Sequence, residues 1–503
     1  MAVDSLRALR ADRFDYWKAQ HLLNRAGFGG TPGQVRALAN LGLSGAVDYI
    51  VDYDKIDWPP VEAEEFDPDI MRPRTRTERQ ELVQARQSGD ETVVEQFRQQ
   101  RQARQRADRT QVAELRRWWL TRLIETPRPL QEKLVLFWHG HFATNYRAIE
   151  DSYHMFLQNQ LFRRQASGNF KTLVHQIIRD PAMLRYLDNN KNRRKAPNEN
   201  LARELMELFT LGEGNGYTED DIKQGARALT GYTYYDDQFI DLRSRQYERL
   251  HDPGPKRILG KIGNFNGDDF VDIIFTLDYV SEFICWKLYR FFVNDLPGVP
   301  DETAQGFILK LARLFRNRNY QMKPLLRTLF KSEHFYDEAN IASQIKGPIQ
   351  LIVQAIRSLR TPVRSLDTLL GAADRMGQSL IFPPSVKGWD GGRAWINTST
   401  LFVRQNLTIY LLTGRRPDAY AWQTDGPVYD AMHLIEHLRT PPDTIDVRDA
   451  VTYLLRFNLG TEAQPERIES LVQFVNAHGG RLDNSMLIAV LALITAMPEY
   501  QLC

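Results

Sequence analysis

Apolar residues recur along most of the chain at three- and four-residue intervals, the spacing that gathers them on one face of an α-helix. In DRFDYWKAQHLLNRAGF, Tyr16, Ala19, Leu22 and Leu23 share one side. TPGQVRALANLGLSGAVDYIVDY follows, with Thr31 as a helix cap, Pro32 at the first helical position and Gly42 as a stop. Two short helices joined this way predict a helix-turn-helix. The second offers Asp48 and Asp52 where a nucleic-acid reader would be basic, so no nucleic-acid partner is expected.

From Asp54 to Pro73 the chain is rich in proline and acids, as a linker would be. The stretch after it is crowded with Arg and Gln and poor in apolar residues before Trp118. Interspersed acids favour an exposed helix or hairpin laced by Glu–Arg pairs over an arm for an anionic partner. Helices with short connections run from Pro127 to Gly231, and the segment up to Asp269 then alternates and turns as one or two short hairpins would. Helices resume, interrupted by IFPPSVKGWDGGRAWINTSTL. The expected fold is mainly α, a large multi-helix domain with small β-hairpin insertions. Residues 1–53 would be N-terminal helices on the core, 54–117 a linker and Arg/Gln-rich insertion, 118–412 a central helical domain with a β excursion near 232–268, and 413–503 a C-terminal helical segment.

Composition narrows the classes. A net charge of +2, from 65 basic and 63 acidic residues, points to no kind of partner. Two cysteines, Cys285 and Cys503, argue against a disulfide framework and are too few for a thiolate metal site. No stretch reaches the ~18 apolar residues of a membrane span; the richest, SMLIAVLALITAMP, predicts a buried helix. The start has no apolar leader core, so the chain as written is expected to be soluble and cytoplasmic. A trimmed leader would make it exported or part of the envelope.

Four stretches hold polar residues fit for chemistry. APNENLARELMELFTLGEG, read as one helix, places Asn200, Arg203, Glu204 and Glu207 on an arc opposite its apolar residues. Leu211 falls within that polar arc, which fits either a solvated, ion-paired stripe with a stray leucine or a polar face looking into a covered cleft. Glu204 and Glu207 are spaced to share a cation or a proton, and Glu199 and Arg203 to form a helix pair. In PLQEKLVLFWHGHF, Gly140 is expected to end the helix that Pro129 opens, leaving His139 and His141 at its C-terminus. Such a pair can ligate a metal or merely cap the helix and fill the core. Asp188, Asn189, Asn190 and Asn192 form a turn-prone loop, either oxygen donors or groups capping their own backbone. In LHDPGPKRILG, His251 and Asp252 precede a turn with Lys256 beyond. Phosphate-loop, nucleophile-elbow and H-E-x-x-H motifs are absent from the sequence.

Together HLLNRAGFGGTP, LFWHGHF, DPAMLRYLDNNKNRRKAPNENLARELMELFTLGEGNGYTEDDIKQGARALTGY, HDPGPKRILG and IFPPSVKGWDGG resemble, in that order, the blocks of the bacterial domain of unknown function 1800 family, over roughly Ala19 to Arg404. By that resemblance His139 and His141 match its Phe-Trp-His-x-His-Phe block. Asp188, Asn198, Glu199, Asn200, Arg203, Glu204 and Glu207 match its Leu-Asp and Pro-Asn-Glu-Asn blocks. His251, Asp252 and Lys256 match its His-Asp-x-Gly-x-Lys block, and Trp389 its Gly-Trp block. The resemblance implies that these polar residues form a site rather than a solvated face. It also implies export for many relatives, and a neighbouring hydrolase-like, sulfatase-related family. This chain departs by its missing leader and its long Arg/Gln segment, read as an insertion.

The leading expectation is a hydrolase-like enzyme acting on a glycosidic, ester or amide bond of a small-molecule or carbohydrate substrate. His139, His141, Glu204, Glu207 and His251 would hold a divalent metal (zinc, iron or manganese) that activates water. Asp188, Glu199 and Arg203 would be catalytic, with Asn198, Asn200, Asp252, Lys256 and Trp389 on the substrate. Without a metal, paired carboxylates would act as acid and base. The alternative is a non-catalytic helical binding or assembly module with a buried polar network.

Overall fold

Helices form where the apolar spacing requires them in the computed structural model, which describes residues 5–59, 65–295, 298, 300–418, 421–440 and 444–503. Helices α1 (Tyr16–Ala26), α2 (Pro32–Asn40) and α3 (Gly42–Val51) come first, and α1 buries Ala19, Leu22 and Leu23. Thr31 and Gln34 close a capping box over α2, and Gly42, at φ +64°, opens α3 after the turn at Leu41. Helices α4 (Arg76–Ser88) and α5 (Glu91–Glu125) fold back on each other through Gly89, left-handed at φ +72°. The Arg/Gln-rich segment is therefore a helical hairpin, laced by pairs such as Arg72–Glu78 (2.8 Å) and Arg98–Glu95 (2.7 Å). Helix α5 runs on unbroken to bury Leu115, Trp119, Leu120 and Leu123, so the expected division at residue 117 falls inside one helix.

The centre of the chain supplies α6 (Pro129–His141), α7 (Tyr146–Ile149), α8 (Ser152–Arg164), α9 (Phe170–Ile177), α10 (Pro181–Tyr186), α11 (Asn200–Glu204) and α12 (Glu219–Ala228). Two antiparallel hairpins flank α13 (Arg245–Leu250), where a β excursion was expected. They are β1 (Tyr234–Tyr235) with β2 (Gln238–Phe239), and β3 (Lys256–Ile258) with β4 (Lys261–Gly263). Then come α14 (Gly267–Ile274), α15 (Tyr279–Phe292), α16 (Glu302–Asn317), α17 (Met322–Lys331), α18 (Pro348–Leu359), α19 (Leu366–Arg375) and α20 (Thr398–Thr413). A third hairpin, β5 (Arg415–Asp418) with β6 (Ala421–Thr424), is too short to announce itself by alternation. The chain closes with α21 (Val447–Leu459), α22 (Pro465–Ala477) and α23 (Asn484–Thr495). No described helix is long and apolar enough to cross a membrane.

One stretch departs from the expected regular helix. After α11, Leu205–Thr210 form a π-helical turn, and the Leu211 N–H reaches back five residues to the Met206 carbonyl at 2.8 Å. The wider turn rotates the residues after it, so Leu211 is buried instead of stranded on a polar arc.

Three helices meet on a single carboxylate. Glu132 of α6, fully buried, accepts two bonds from Arg163 of α8 (2.7 and 2.9 Å). From α5, Trp119 Nε1 (3.3 Å) and Arg122 (3.4 Å) also reach it. Burial pushes the Glu132 carboxyl up, but the two guanidiniums outweigh burial and hold it below its usual range. Glu132→Gln strips Arg163 of its counter-charge and is expected to cost about 3 kcal/mol in urea unfolding at pH 7. The contribution is full above the unfolded value of 4.5 and fades as pH falls through the lower folded value, so wild type and variant converge in acid.

Candidate functional site

Contrary to the expected stop at Gly140, α6 continues to His141, and the glycine serves packing instead. The Trp389 indole lies 3.4 Å from where a Gly140 Cβ would sit. Gly388, at φ +82°, presses on the Gly140 carbonyl so closely that a Cβ would collide with the oxygen. Farther along, Gly392, at φ +52°, leaves the Asp295 carboxylate no room for a side chain beside it. Asp295 accepts two bonds from Arg290 of α15 (2.9 and 2.6 Å). The Trp389 loop is thus clamped between α6 and the end of α15.

Against this loop lies a cavity of about 170 Å³. Helix α6 contributes Lys133, Phe137 and His141, α15 contributes Lys287, Arg290 and Phe291, and Trp389 and Trp395 add aromatic walls. Five cationic side chains (Lys133, Lys287, Arg290, Lys346 and Lys387) face two carboxylates, Asp295 and Asp390. Both carboxylates are engaged, Asp295 by Arg290 and Asp390 by Lys387 at 3.1 Å. Lys133 Nζ donates to the Gly27 carbonyl (3.0 Å) and the Gln350 side chain, Lys346 Nζ donates to the Tyr500 carbonyl (2.7 Å), and Cys503 lends both a negative neighbour. Lys287 differs. Among the described residues it makes no hydrogen bond or ion pair, and its ammonium lies over the rings of Phe283 (5.3 Å) and Trp286 (5.6 Å). Burial, then Arg290 and Lys387, bring its pKa down to about 8.

The two histidines take separate parts. A carbonyl can only accept, so His141 Nε2 donates to Phe209 (3.0 Å) and its Nδ1 is a bare acceptor, buried without a partner. Burial, with Lys287 nearby, pulls His141 down to about 3, so the ring is neutral. His139 sits between Trp119 and Trp389 (ring centroids 5.2 and 5.5 Å), and its Nε2 accepts the Ile381 N–H at 3.2 Å. Burial takes it too to about 3. Ile381 holds φ +71°, a conformation that a β-branched residue rarely takes.

A family model described as Protein of unknown function (DUF1800) matches residues 21–502. The chain belongs to this family. No curated protein and no solved structure matches the chain.

The DUF1800 blocks, expected to converge on one site, are shared among several places. His141 and Trp389 line the cavity, and His139 packs behind them. Arg203 turns to Glu219 (2.7 and 2.8 Å) and Glu207 (3.4 Å) rather than to Glu199. Half-burial, then the Glu207 charge, raise the Glu204 carboxyl. Asp188 pairs with Lys191 (2.6 Å), while Asn198 Oδ1 accepts the Asn200 N–H (2.9 Å). Asn189 and Asn192 bond the carbonyls of Tyr232 (2.9 Å) and Ala226 (2.9 Å), so this loop braces the end of α12. His251 stacks on Tyr247 (4.8 Å), Asp252 accepts from Arg227 (2.7 Å), and Lys256 Nζ donates to the Asp252 and Gly254 carbonyls (2.5 and 3.0 Å). The five expected metal ligands do not assemble. Among the described residues, the one group of three or more donors within 4.8 Å of one another is Asp151, His154 and Asp237.

Sequence reasoning passed over Lys133, Lys287, Arg290, Asp295, Lys346 and Trp395. The available signal was a lysine inside an apolar helical run, as in EKLVLFWHGHF and FICWKLYRFF. The loop contact generates a test. Gly388→Ala, strained by its φ and blocked by the Gly140 carbonyl, should cost well over 2 kcal/mol in urea unfolding and red-shift tryptophan emission. Gly42→Ala, at a similar φ but with no atom within 4 Å, should cost about 1 kcal/mol and leave emission unchanged.

Proposed function

We propose that this chain binds a small anionic molecule, one joining a carboxylate, sulfate or phosphate group to an apolar or ring-bearing part, in the cavity between α6, α15 and the Trp389 loop. Lys287 carries this reading. Its ammonium is half-buried with no ion-pair partner among the described residues, and a ligand that supplies a counter-charge there gains binding energy. Phe137, Trp389 and Trp395 give the remainder of the ligand apolar and aromatic surface.

In the hydrolase-like reading His141, pulled to about 3, is a weak base, and Lys133 and Lys287, brought down to about 7 and 8, are the groups nearer neutrality. Binding is placed ahead of hydrolysis because Lys133 is held by the Gly27 carbonyl and the Gln350 side chain and His141 is not poised as a base. The assembly-module reading draws support from Asn189 and Asn192, which bond each other and the end of α12, and from the Glu132 cluster. It gives no reason for Lys287, because a purely structural wall would be better built from an apolar residue of the same length.

Two consequences separate these readings. Depressing a lysine from 10.5 to about 8 penalises the charged form most below pH 8, and the penalty disappears above 10.5. Lys287→Met should accordingly stabilise the empty chain by about 2 kcal/mol at pH 7 in urea unfolding, and by little at pH 10.5. In thermal-shift measurements with inorganic sulfate, inorganic phosphate, acetate and benzoate, at least one should raise the Tm of the native chain at pH 7, less so at pH 9. None should raise that of Lys287→Met. Equal shifts in both proteins, or none in either, would remove the anion-binding reading.

A further inference from the structure

A second cluster of chemistry-bearing groups lies apart from the cavity, where α8 begins. Asp151 caps α8, its Oδ1 accepting the His154 N–H at 3.1 Å. The turn of the β1–β2 hairpin brings in Asp237, whose Oδ1 lies 2.9 Å from His154 Nε2. On the other side of the ring, Asp151 Oδ2 lies 3.5 Å from Nδ1. The His154 side chain is 5% exposed, and its Nδ1 is buried with no hydrogen-bond partner.

The tautomer makes this arrangement informative. Asp237 accepts from Nε2–H, which in a neutral ring leaves a lone pair on Nδ1 facing a carboxylate oxygen. Two electron-rich atoms do not face each other in a buried place without something positive between them. A proton there would draw the pair to about 2.8 Å, the length of a charge-assisted hydrogen bond. The observed 3.5 Å is too long for that, but it matches the separation of two donors each about 2.1 Å from a tetrahedral ion.

The balance of charge points the same way. Asp180, buried nearby, already accepts from Gln158 Nε2 (2.7 Å) and the Met183 N–H (2.8 Å), so Asp151 and Asp237 are the two carboxylates that face the ring. Among the described residues no lysine or arginine forms an ion pair with Asp151, Asp180 or Asp237. Arg164 acts on Asp180 electrostatically without bonding it. Two carboxylates against one buried imidazole leave a negative pocket in a place where charge is costly.

We propose that Asp151, His154 and Asp237 bind one divalent transition-metal ion of the zinc, iron or manganese class, which pins the β1–β2 hairpin to the start of α8. Nδ1 and the Asp151 carboxylate are the principal donors. Asp237 supplies a further oxygen or orients the ring through Nε2–H, and in either role its loss weakens binding about tenfold or more. Nitrogen with oxygen donors suits these ions better than calcium or magnesium, which take oxygen almost exclusively.

The test uses the untagged full chain, stripped with chelator and titrated calorimetrically with zinc chloride, with cobalt absorption as a second readout. One equivalent should bind, raise the Tm and give a cobalt spectrum. Asp151→Asn keeps a good helix cap and His154→Gln keeps the ring's approximate volume, and both should abolish the bound equivalent. Asp237→Asn, on a partly exposed turn, should weaken it about tenfold or more. Far-UV circular dichroism and urea midpoints establish that each variant is folded, and Asp237→Asn stands as the test if either of the others is not. Absence of zinc binding by the native chain, or an unchanged equivalent in a folded variant, overturns the proposal and leaves a protonated imidazole clamp in its place.

Discussion

The contact between the backbones of Gly140 and Gly388 is the constraint on which the rest of the site depends. Neither residue has a side chain to hold the two segments apart, and Gly388 takes a backbone conformation that other residues adopt only under strain. Because they touch, the Trp389 indole lies against α6, and the glycines beyond it reach the Asp295 carboxylate at the end of α15. That seating turns a groove between two helices into a walled cavity. Partial burial on that wall, with Arg290 and Lys387 beside it, depresses the Lys287 pKa. Sequence, packing and electrostatics are thereby joined in one causal line.

Two charges, one on α6 and one on α15, show how the protein treats polarity. Glu132 is surrounded by donors, two guanidiniums and an indole, and its burial is fully answered within the fold. Such a cluster fixes how α5, α6 and α8 sit on one another. Lys287, half-buried, has aromatic faces and, among the described residues, no hydrogen-bonded anion; Asp390 acts on it only at a distance. A domain under selection for stability alone would replace it, so a sustained electrostatic imbalance beside a cavity is better read as a binding feature than as an accident of packing.

The fold is largely legible in the sequence, and the site only partly. Apolar spacing places the helices, and capping signals such as Thr31 with Gln34 mark their starts. Two of three hairpins can be read from alternation and turn residues. Leu211 has no explanation on a regular helix, because a π-turn depends on hydrogen bonding that composition does not announce. His139 and His141 stand out in the sequence as unusual, but adjacency there says nothing about direction: one ring faces the cavity and the other is wedged between tryptophans. The carboxylates at Glu204 and Glu207 look like a site because spacing alone does not disclose Arg203 and Glu219 beside them. Asp237 is invisible as a partner of His154 because only the folded hairpin brings the two together.

The most direct measurement of whether the cavity asks for an anion is the pH titration of the Lys287 side chain by carbon-13 and nitrogen-15 NMR in the full chain, assigned by comparison with Lys287→Met. A midpoint near 8 is expected in the empty protein, and a higher midpoint once a bound anion restores the missing charge. A midpoint at the ordinary lysine value of 10.5, indifferent to added anions, would mean that the ammonium is hydrated and that the cavity needs no ligand.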